Sequence, residues 1–513
     1  MLVHDLITQA AERRPEHVYI ASEPGRWSYS DFLRMINTSA SFFSDLRINR
    51  GDRVIIALDN RVESYALLFA AISAGAIAVP LTPTLPPEKL QYVLDNCQPS
   101  VFCGGKSLDN LRHTKLGSYL KTVIGLGGVP EDGFPNSVRV VEYRDVISSG
   151  GVKAPQFRLI DLDPAAIIYT SGSAGTPKGI ILSHLNILTA IRSITSYLGL
   201  TEDDRVIDFQ PPFFDYGLYQ SFLTAFVGAT LSLARNFVFP SEVLNKIEQQ
   251  RITVVPFVPT NITTLFSRGP SIREPLTNVR LVTSTGARFP AQHIPSLRTL
   301  FPNATIFSMY GLTECKRVSY LPPELLDAKP SSVGIPMPNV EVWIVGEQDR
   351  PVGPHTVGQL VVRGSNVALG YWGDPEGSAA RFRVQPNGER WLYTGDYFKQ
   401  DEDGCLYFIG RKDDLLKVGG YRTSTKEIEA TLALFQPVQE VAAIPIPDEV
   451  LGHSTKVFVV PKPDHWLTTE IIRRYCHTAF ETRTLAPKVI EIVSNLPRTG
   501  TGKTDYESLV QAG

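Results

Sequence analysis

The sequence predicts an α/β protein: a large N-terminal domain of two mainly parallel α/β subdomains plus a β-rich subdomain, then a small mobile α+β C-terminal domain. Three observations predict it. Short β-branched runs alternate with amphipathic stretches through roughly the first 330 residues, which is the pattern of strand–helix crossovers and parallel sheets. From about residue 330 the strands become short, alternating and punctuated by Gly, Pro and Asp, the signature of a β-rich unit. From about residue 412 helix and strand patterns recur over about 100 residues, enough for a compact lid. The expected division is 1–411, with the β-rich subdomain at about 330–411, and 412–513.

The elements follow in order. "DRVIIALD" (52–59), "AIAVPL", "AAIIYTS", "ITVVPFVP" and "VRLVTSTG" read as strands buried on both faces. "ALLFAAISAGAIAVPL" (66–81) is too short to span a membrane and contains Gly75 and Pro80; it reads as a buried helix followed by a strand. "SEVLNKIEQQR" (241–251) is amphipathic at helical spacing. "NVEVWIV", "GQLVVRG" and "GCLYFIGR" supply the β-rich unit. In the last unit "TKEIEATLALF" and "TTEIIRRYCHTAF" read as helices, and "VQEVAAIPIP" and "KVFVVPKP" as strands.

Bulk composition narrows the function. A formal net charge of −2 with 20% charged residues argues against a nucleic-acid binder, which carries a basic face or excess. Five scattered cysteines without C-x-x-C spacing read as reduced thiols of a cytoplasmic protein rather than a disulfide frame or zinc site. The N-terminal residues lack a basic segment followed by an apolar one, so no secretory signal is read there.

Chemistry enters with "IIYTSGSAGTPKGI" (167–180), where a strand runs into a Ser/Thr/Gly tract that ends in Pro, Lys and Gly. Glycines let backbone N–H groups face a ligand, hydroxyls add donors and a lysine adds a point charge, a combination suited to a polyphosphate. The P-loop reading fails because Lys178 follows Pro177 and precedes Gly179. "PRTGTGKT" (497–504) has the P-loop ending, but Pro497 stands where the first glycine belongs. Four further clusters accompany the loop: "SMYGLTEC" (308–315), "WLYTGD" (391–396), "GRKDDLLKVGGYRTSTKEIE" (410–429) and "LPRTGTGK".

In this order the five clusters resemble those of the adenylate-forming superfamily: acyl-CoA synthetases, adenylation domains of nonribosomal peptide synthetases, and beetle luciferase. The resemblance spans essentially the whole chain. It implies attack of a carboxylate on the α-phosphate of ATP, loss of pyrophosphate, and an acyl-adenylate. It also implies the roles. Thr170, Ser171, Gly172, Ser173, Gly175, Thr176 and Lys178 are similar to the loop for the β- and γ-phosphates, with Ala174 replacing the usual hydroxyl. Glu314 is implied for Mg2+, Thr313 for the α-phosphate, and Tyr310 with Gly311 and Gly286-Ala287-Arg288 for the adenine pocket. Asp396, with Arg411 nearby, is implied for the ribose. Lys503 is implied to bridge substrate carboxylate and α-phosphate, its charge acting most strongly in a water-poor site. Asp413 falls at the implied hinge, and Gly419, Gly420 and Arg422 on the face that meets the phosphopantetheine thiol after the small domain rotates.

The acid pocket is expected between "PPFFDYGLYQ" (211–220) and "MYGLTECKRVSY", with Phe214, Asp215, Tyr219, Met309, Lys316 and Arg317 as its residues. Asp215 falls where amino-acid-activating members pair the substrate ammonium, yet a nearby base such as Lys316 or Arg317 would satisfy it equally. The sequence therefore predicts an AMP-forming acid–thiol ligase using ATP, Mg2+ and CoA. The alternative is a stand-alone amino-acid adenylating enzyme that loads a carrier protein's phosphopantetheine in trans.

Overall fold

A computed structural model describes the chain apart from residues 24, 129–132, 149–156, 172–176, 269–273, 412–414, 419–420, 449–450, 464, 481–482, 499–503 and 512–513. The predicted α/β class holds, with a large N-terminal and a small C-terminal domain. In an eight-stranded sheet, Arg53–Ala57, Ile77–Pro80, Val101–Gly104, Thr122–Gly125 and Arg139–Glu142 run parallel. Pro164–Ser171 joins the sheet parallel to Ile77–Pro80. In a nine-stranded sheet, Val18–Ser22, Thr230–Leu233, Arg205–Asp208, Val254–Phe257, Leu281–Ser284 and Thr305–Tyr310 also run parallel. These strands are short and apolar because helices cover both faces, which leaves no polar side to alternate.

The run at 66–81 forms the helix Val62–Ser73 followed by Ile77–Pro80. That helix is buried from Val62 nearly to its end, and Asp215–Val227 is buried almost as fully. Helices that are apolar all round belong inside. A chain of edge-on aromatic contacts links them: Phe32 to Phe69 at 6.1 Å, Phe69 to Phe222 at 5.5 Å, and Phe222 to Tyr219 at 5.5 Å. The predicted helix at 241–251 is Pro240–Gln249.

The β-rich region is an antiparallel sheet of Val340–Val345, Gly358–Gly364, Phe382–Val384, Arg390–Gln400 and Leu406–Arg411. The last sheet holds Leu415–Val418, Tyr421–Ser424, Val438–Asp448, Gly452–Pro461 and Val489–Ile492. Thr425–Ala433 and Thr469–Ala479 are its two longer helices, each started by a hydroxyl cap, Ser424 and Thr468. Ser424 also donates to the carbonyl of Ile409, and Lys399 Nζ lies 3.4 Å from Glu427 Oε1. All five cysteines are free and buried. Among the described residues no helix is long and apolar enough to cross a membrane.

One core contact makes a pH prediction. Buried His184 accepts the backbone N–H of Val3 on Nδ1 at 3.0 Å. Burial first, then the neighbouring His4, holds its pKa down at about 4, against 6.5 for an ordinary histidine. As the pH falls below 6.5 the unfolded chain takes up this proton and the folded one does not, so stability is lost between pH 6.5 and 4. The loss is about 3 kcal/mol for this group. In His184→Asn the amide oxygen accepts the same bond without titrating, and denaturant midpoints across that pH window should fall less steeply than in wild type.

Candidate active site

The two strands that flank the hydroxyl-rich tract pair antiparallel with one another. Pro164–Ser171 returns as Pro177–Ser183, with Thr170 opposite Lys178 and Ser171 opposite Pro177. Gly172, Ser173, Gly175 and Thr176 lie outside the described residues, as does Ala174. The hairpin ends where Ser183 caps the helix His184–Leu198, its hydroxyl accepting from the Asn186 N–H while the Asn186 side chain accepts from the Ser183 N–H. Gly370–Tyr371 adds an antiparallel edge strand, with Tyr371 opposite Ile180. Lys178 and Ile180 are two residues apart and share a face. Lys178 Nζ accordingly sits 4.8 Å from the centre of the Tyr371 ring and 3.6 Å from Asp374 Oδ2.

Glu314 meets the same tyrosine at its hydroxyl, accepting it on Oε1 at 2.8 Å. A tight turn presents it. A Cβ on Gly311 would lie 2.3 Å from the Lys316 carbonyl oxygen, and Lys316 takes φ +59° to close the turn. Segment 366–371 braces this turn: Ala368 N–H donates to Glu314 O at 2.8 Å, and the Asn366 amide donates to the carbonyls of Cys315 and Arg317 at 2.7 and 3.0 Å. Thr313 precedes Glu314 and is half-buried. Gly311→Ala forces two backbone segments apart; a loss of about 1–3 kcal/mol, read by thermal denaturation, should accompany weakened ATP binding.

A second group lies on the antiparallel sheet. Asp396 and Arg411 are cross-strand partners, with Arg411 Nε 3.5 Å from Asp396 Oδ1. Tyr310 donates to Asp396 Oδ2 at 2.6 Å, and its ring packs edge-on to Phe398 at 4.9 Å. Burial pushes the Asp396 carboxyl up from its ordinary range, opposed by the Tyr310 hydrogen bond and Arg411. The negative charge of Glu314 also raises it, so the two acidic groups share one neighbourhood. Gly286, Ala287 and Arg288 are exposed beyond the strand Leu281–Ser284.

Several residues expected to line the acid pocket gather around the start of Asp215–Val227. Gly217 is obligatory there, since a Cβ would lie 2.5 Å from the Gln210 carbonyl. Lys316 Nζ stands 3.8 Å from Asp215 Oδ1 and 4.3 Å from the Tyr219 ring centre. Burial lowers the Lys316 amine to about 7, with Asp215 opposing. Arg317 is 2% exposed, its guanidinium 5.5 Å from the Tyr216 ring centre. Buried Met309 accepts the Tyr197 hydroxyl on sulfur at 3.0 Å, and Phe214 stays exposed near Gly286.

Lys503, Asp413, Gly419 and Gly420 lie outside the described residues. Arg422 is in the strand Tyr421–Ser424, opposite Lys417. Sequence reasoning missed Tyr371, Asp374 and Tyr197. The signal for the first two is "GYWGD" (370–374), whose aromatic pair between glycines reads as a turn.

Residues 7–372 match the AMP-binding enzyme family, and residues 427–503 match the AMP-binding enzyme C-terminal domain. The chain belongs to the AMP-binding enzyme family. Its relatives within the adenylate-forming superfamily include a long-chain-fatty-acid–CoA ligase of Bacillus subtilis, 26% identical over 98% of this chain and 92% of that one. Tyrocidine synthase 1 of Brevibacillus parabrevis is 25% identical over 99% of this chain and 44% of the synthase. Among solved structures, the anthranilate CoA ligase AuaEII with anthranoyl-AMP superposes with a TM-score of 0.85 at 27% identity, covering 100% of this chain and 97% of that one.

Proposed function

We propose that the protein activates an organic carboxylic acid with ATP as acyl-AMP and then transfers the acyl group to the thiol of CoA. The observation that carries this is the meeting of Lys178 and Glu314 at Tyr371, the lysine over its ring and the carboxylate at its hydroxyl, with Glu314 also acting on Asp396 of the Asp396–Tyr310–Arg411 group. In this reading Lys178 serves the phosphates and Asp396 the ribose. A carboxylate is ionised at neutral pH and needs no general base. The barrier is an anion approaching a polyanion, met by fixed positive charge and donors. The carboxylate oxygen bonds to the α-phosphorus, the bond to the bridging oxygen breaks, and pyrophosphate leaves. The CoA sulfur then attacks the acyl carbonyl as thiolate, and AMP leaves.

In this reading Thr170, Ser171, Lys178 and the tract between them hold the β- and γ-phosphates, Thr313 the α-phosphate and Asp396 the ribose. Gly311, Gly286 and Ala287 line the adenine pocket with Tyr310. Lys503 serves adenylation and is withdrawn as the 412–513 unit rotates about Asp413, bringing Gly419, Gly420 and Arg422 to the thiol. Magnesium fits the donor chemistry: Glu314 is a hard oxygen ligand with one oxygen held by Tyr371, and this cation usually keeps phosphate and water as its other ligands. Bound there, it would neutralise phosphate charge.

The cation beside Asp215 is Lys316, which supports a plain acid over an amino acid, and the CoA-ligase relatives support CoA over a carrier protein. The test pairs each amino acid with its des-amino analogue in acid-dependent pyrophosphate release, hydroxylamine serving as trap. Turnover of the des-amino acids as well or better supports the reading; turnover of the amino acids alone assigns Asp215 to a substrate ammonium and makes a carrier protein the acceptor.

A further inference from the structure

Arg317 is among the largest fully buried side chains of the protein, yet Nε and Nη1 have no hydrogen-bond partner among the described residues. A guanidinium is always charged and carries five donors. Burying one with two of its nitrogens unpaired is strongly unfavourable in a finished site. The carboxylates of this region are engaged elsewhere. Asp215 faces Lys316, and Asp208 accepts from the Tyr65 hydroxyl at 3.1 Å and the Gln210 N–H at 3.0 Å. The neighbouring hydroxyls of Tyr219 and Ser319 are likewise buried without a partner among the described residues.

The orphan cation and the nucleotide group act on different neighbours. Its charge acts on Tyr197, Tyr216 and Lys316, whereas that of Glu314 acts on Tyr310, Tyr371 and Asp396. Arg317 thus stands with the residues predicted for the acid, its guanidinium 5.5 Å from the Tyr216 ring centre and its charge acting on Tyr197. A planar fork of N–H donors against aromatic faces matches a carboxylate bidentately.

We propose that the acid this enzyme activates is a dicarboxylic acid, whose second carboxylate pairs with the Arg317 guanidinium while the first reacts with ATP. The inference rests on the acid–thiol ligase reading above and adds the substrate class to it. A site built to neutralise a charged group rejects the analogue that lacks it far more strongly than an apolar pocket rejects a missing methylene.

The test compares succinate with butyrate, glutarate with pentanoate, and phthalate with benzoate in acid-dependent pyrophosphate release, for wild type, Arg317→Met and Arg317→Lys. One diacid should exceed its monoacid in kcat/KM by roughly 100-fold or more. Arg317→Met should collapse that ratio and raise the melting temperature, because a buried unpaired charge is gone; Arg317→Lys should keep part of the ratio. A thermal shift of wild type with AMP and each acid keeps the test decisive if a variant does not fold, the productive diacid stabilising and its monoacid not. Monoacids turned over as well as diacids would overturn the proposal and leave the ligase reading standing. Turnover of no acid at all, amino acids and long-chain acids included, would overturn both. A lowered melting temperature in Arg317→Met with the ratio unchanged would make Arg317 structural and sink the proposal.

Discussion

Lys503→Ala should lower acid-dependent pyrophosphate release by roughly 100- to 1,000-fold while thioester formation from supplied acyl-AMP and CoA keeps most of its rate. Lys503 belongs to "PRTGTGK" near the C-terminus, the segment whose lysine the family resemblance assigns to the reacting carboxylate and α-phosphate. A cation there acts on charge that develops during adenylation, and a preorganised donor in a water-poor site contributes most at that moment. If the small domain turns between the half-reactions, the second step no longer uses it. Rapid-quench measurement of the two half-reactions separately checks this. Equal loss in both would contradict the alternation of the two domains.

The second large effect concerns Glu314. In Glu314→Gln the amide oxygen still accepts the Tyr371 hydroxyl, so the turn keeps its brace from Ala368 and Asn366, but the negative charge is lost. Adenylation should fall by roughly 100-fold, with KM for the acid little changed and a higher magnesium requirement. Tyr371→Phe removes the hydrogen bond and keeps both the charge and the ring under Lys178; its loss should be about ten-fold or less. Titrating magnesium against both variants separates charge from positioning. A Tyr371→Phe loss equal to that of Glu314→Gln would assign Glu314 to the scaffold instead.

The parallel sheets were legible because double-sided burial writes itself as unbroken apolar runs, as in "RVIIA" and "LVTS". The helix Val62–Ser73 and its following strand were legible for the same reason, with Gly75 marking the break between them. The hairpin around the hydroxyl tract was not, since "PKGIILS" has no alternation to distinguish a returning strand from the start of a helix. Tyr371 escaped notice because its tie to Glu314 spans 57 positions and depends on an edge strand of two residues. Arg317 was legible as a candidate but not as an orphan. Nothing in "ECKRVS" distinguishes a buried charge from a solvated one; only the surrounding aromatic walls reveal it.

The central claim is acid activation by adenylation, and exchange of labelled pyrophosphate into ATP tests it most directly. The exchange should require both magnesium and an acid substrate and proceed without CoA, since acyl-AMP forms before the thiol enters. ATP breakdown to ADP and phosphate, or exchange indifferent to every acid supplied, would contradict it.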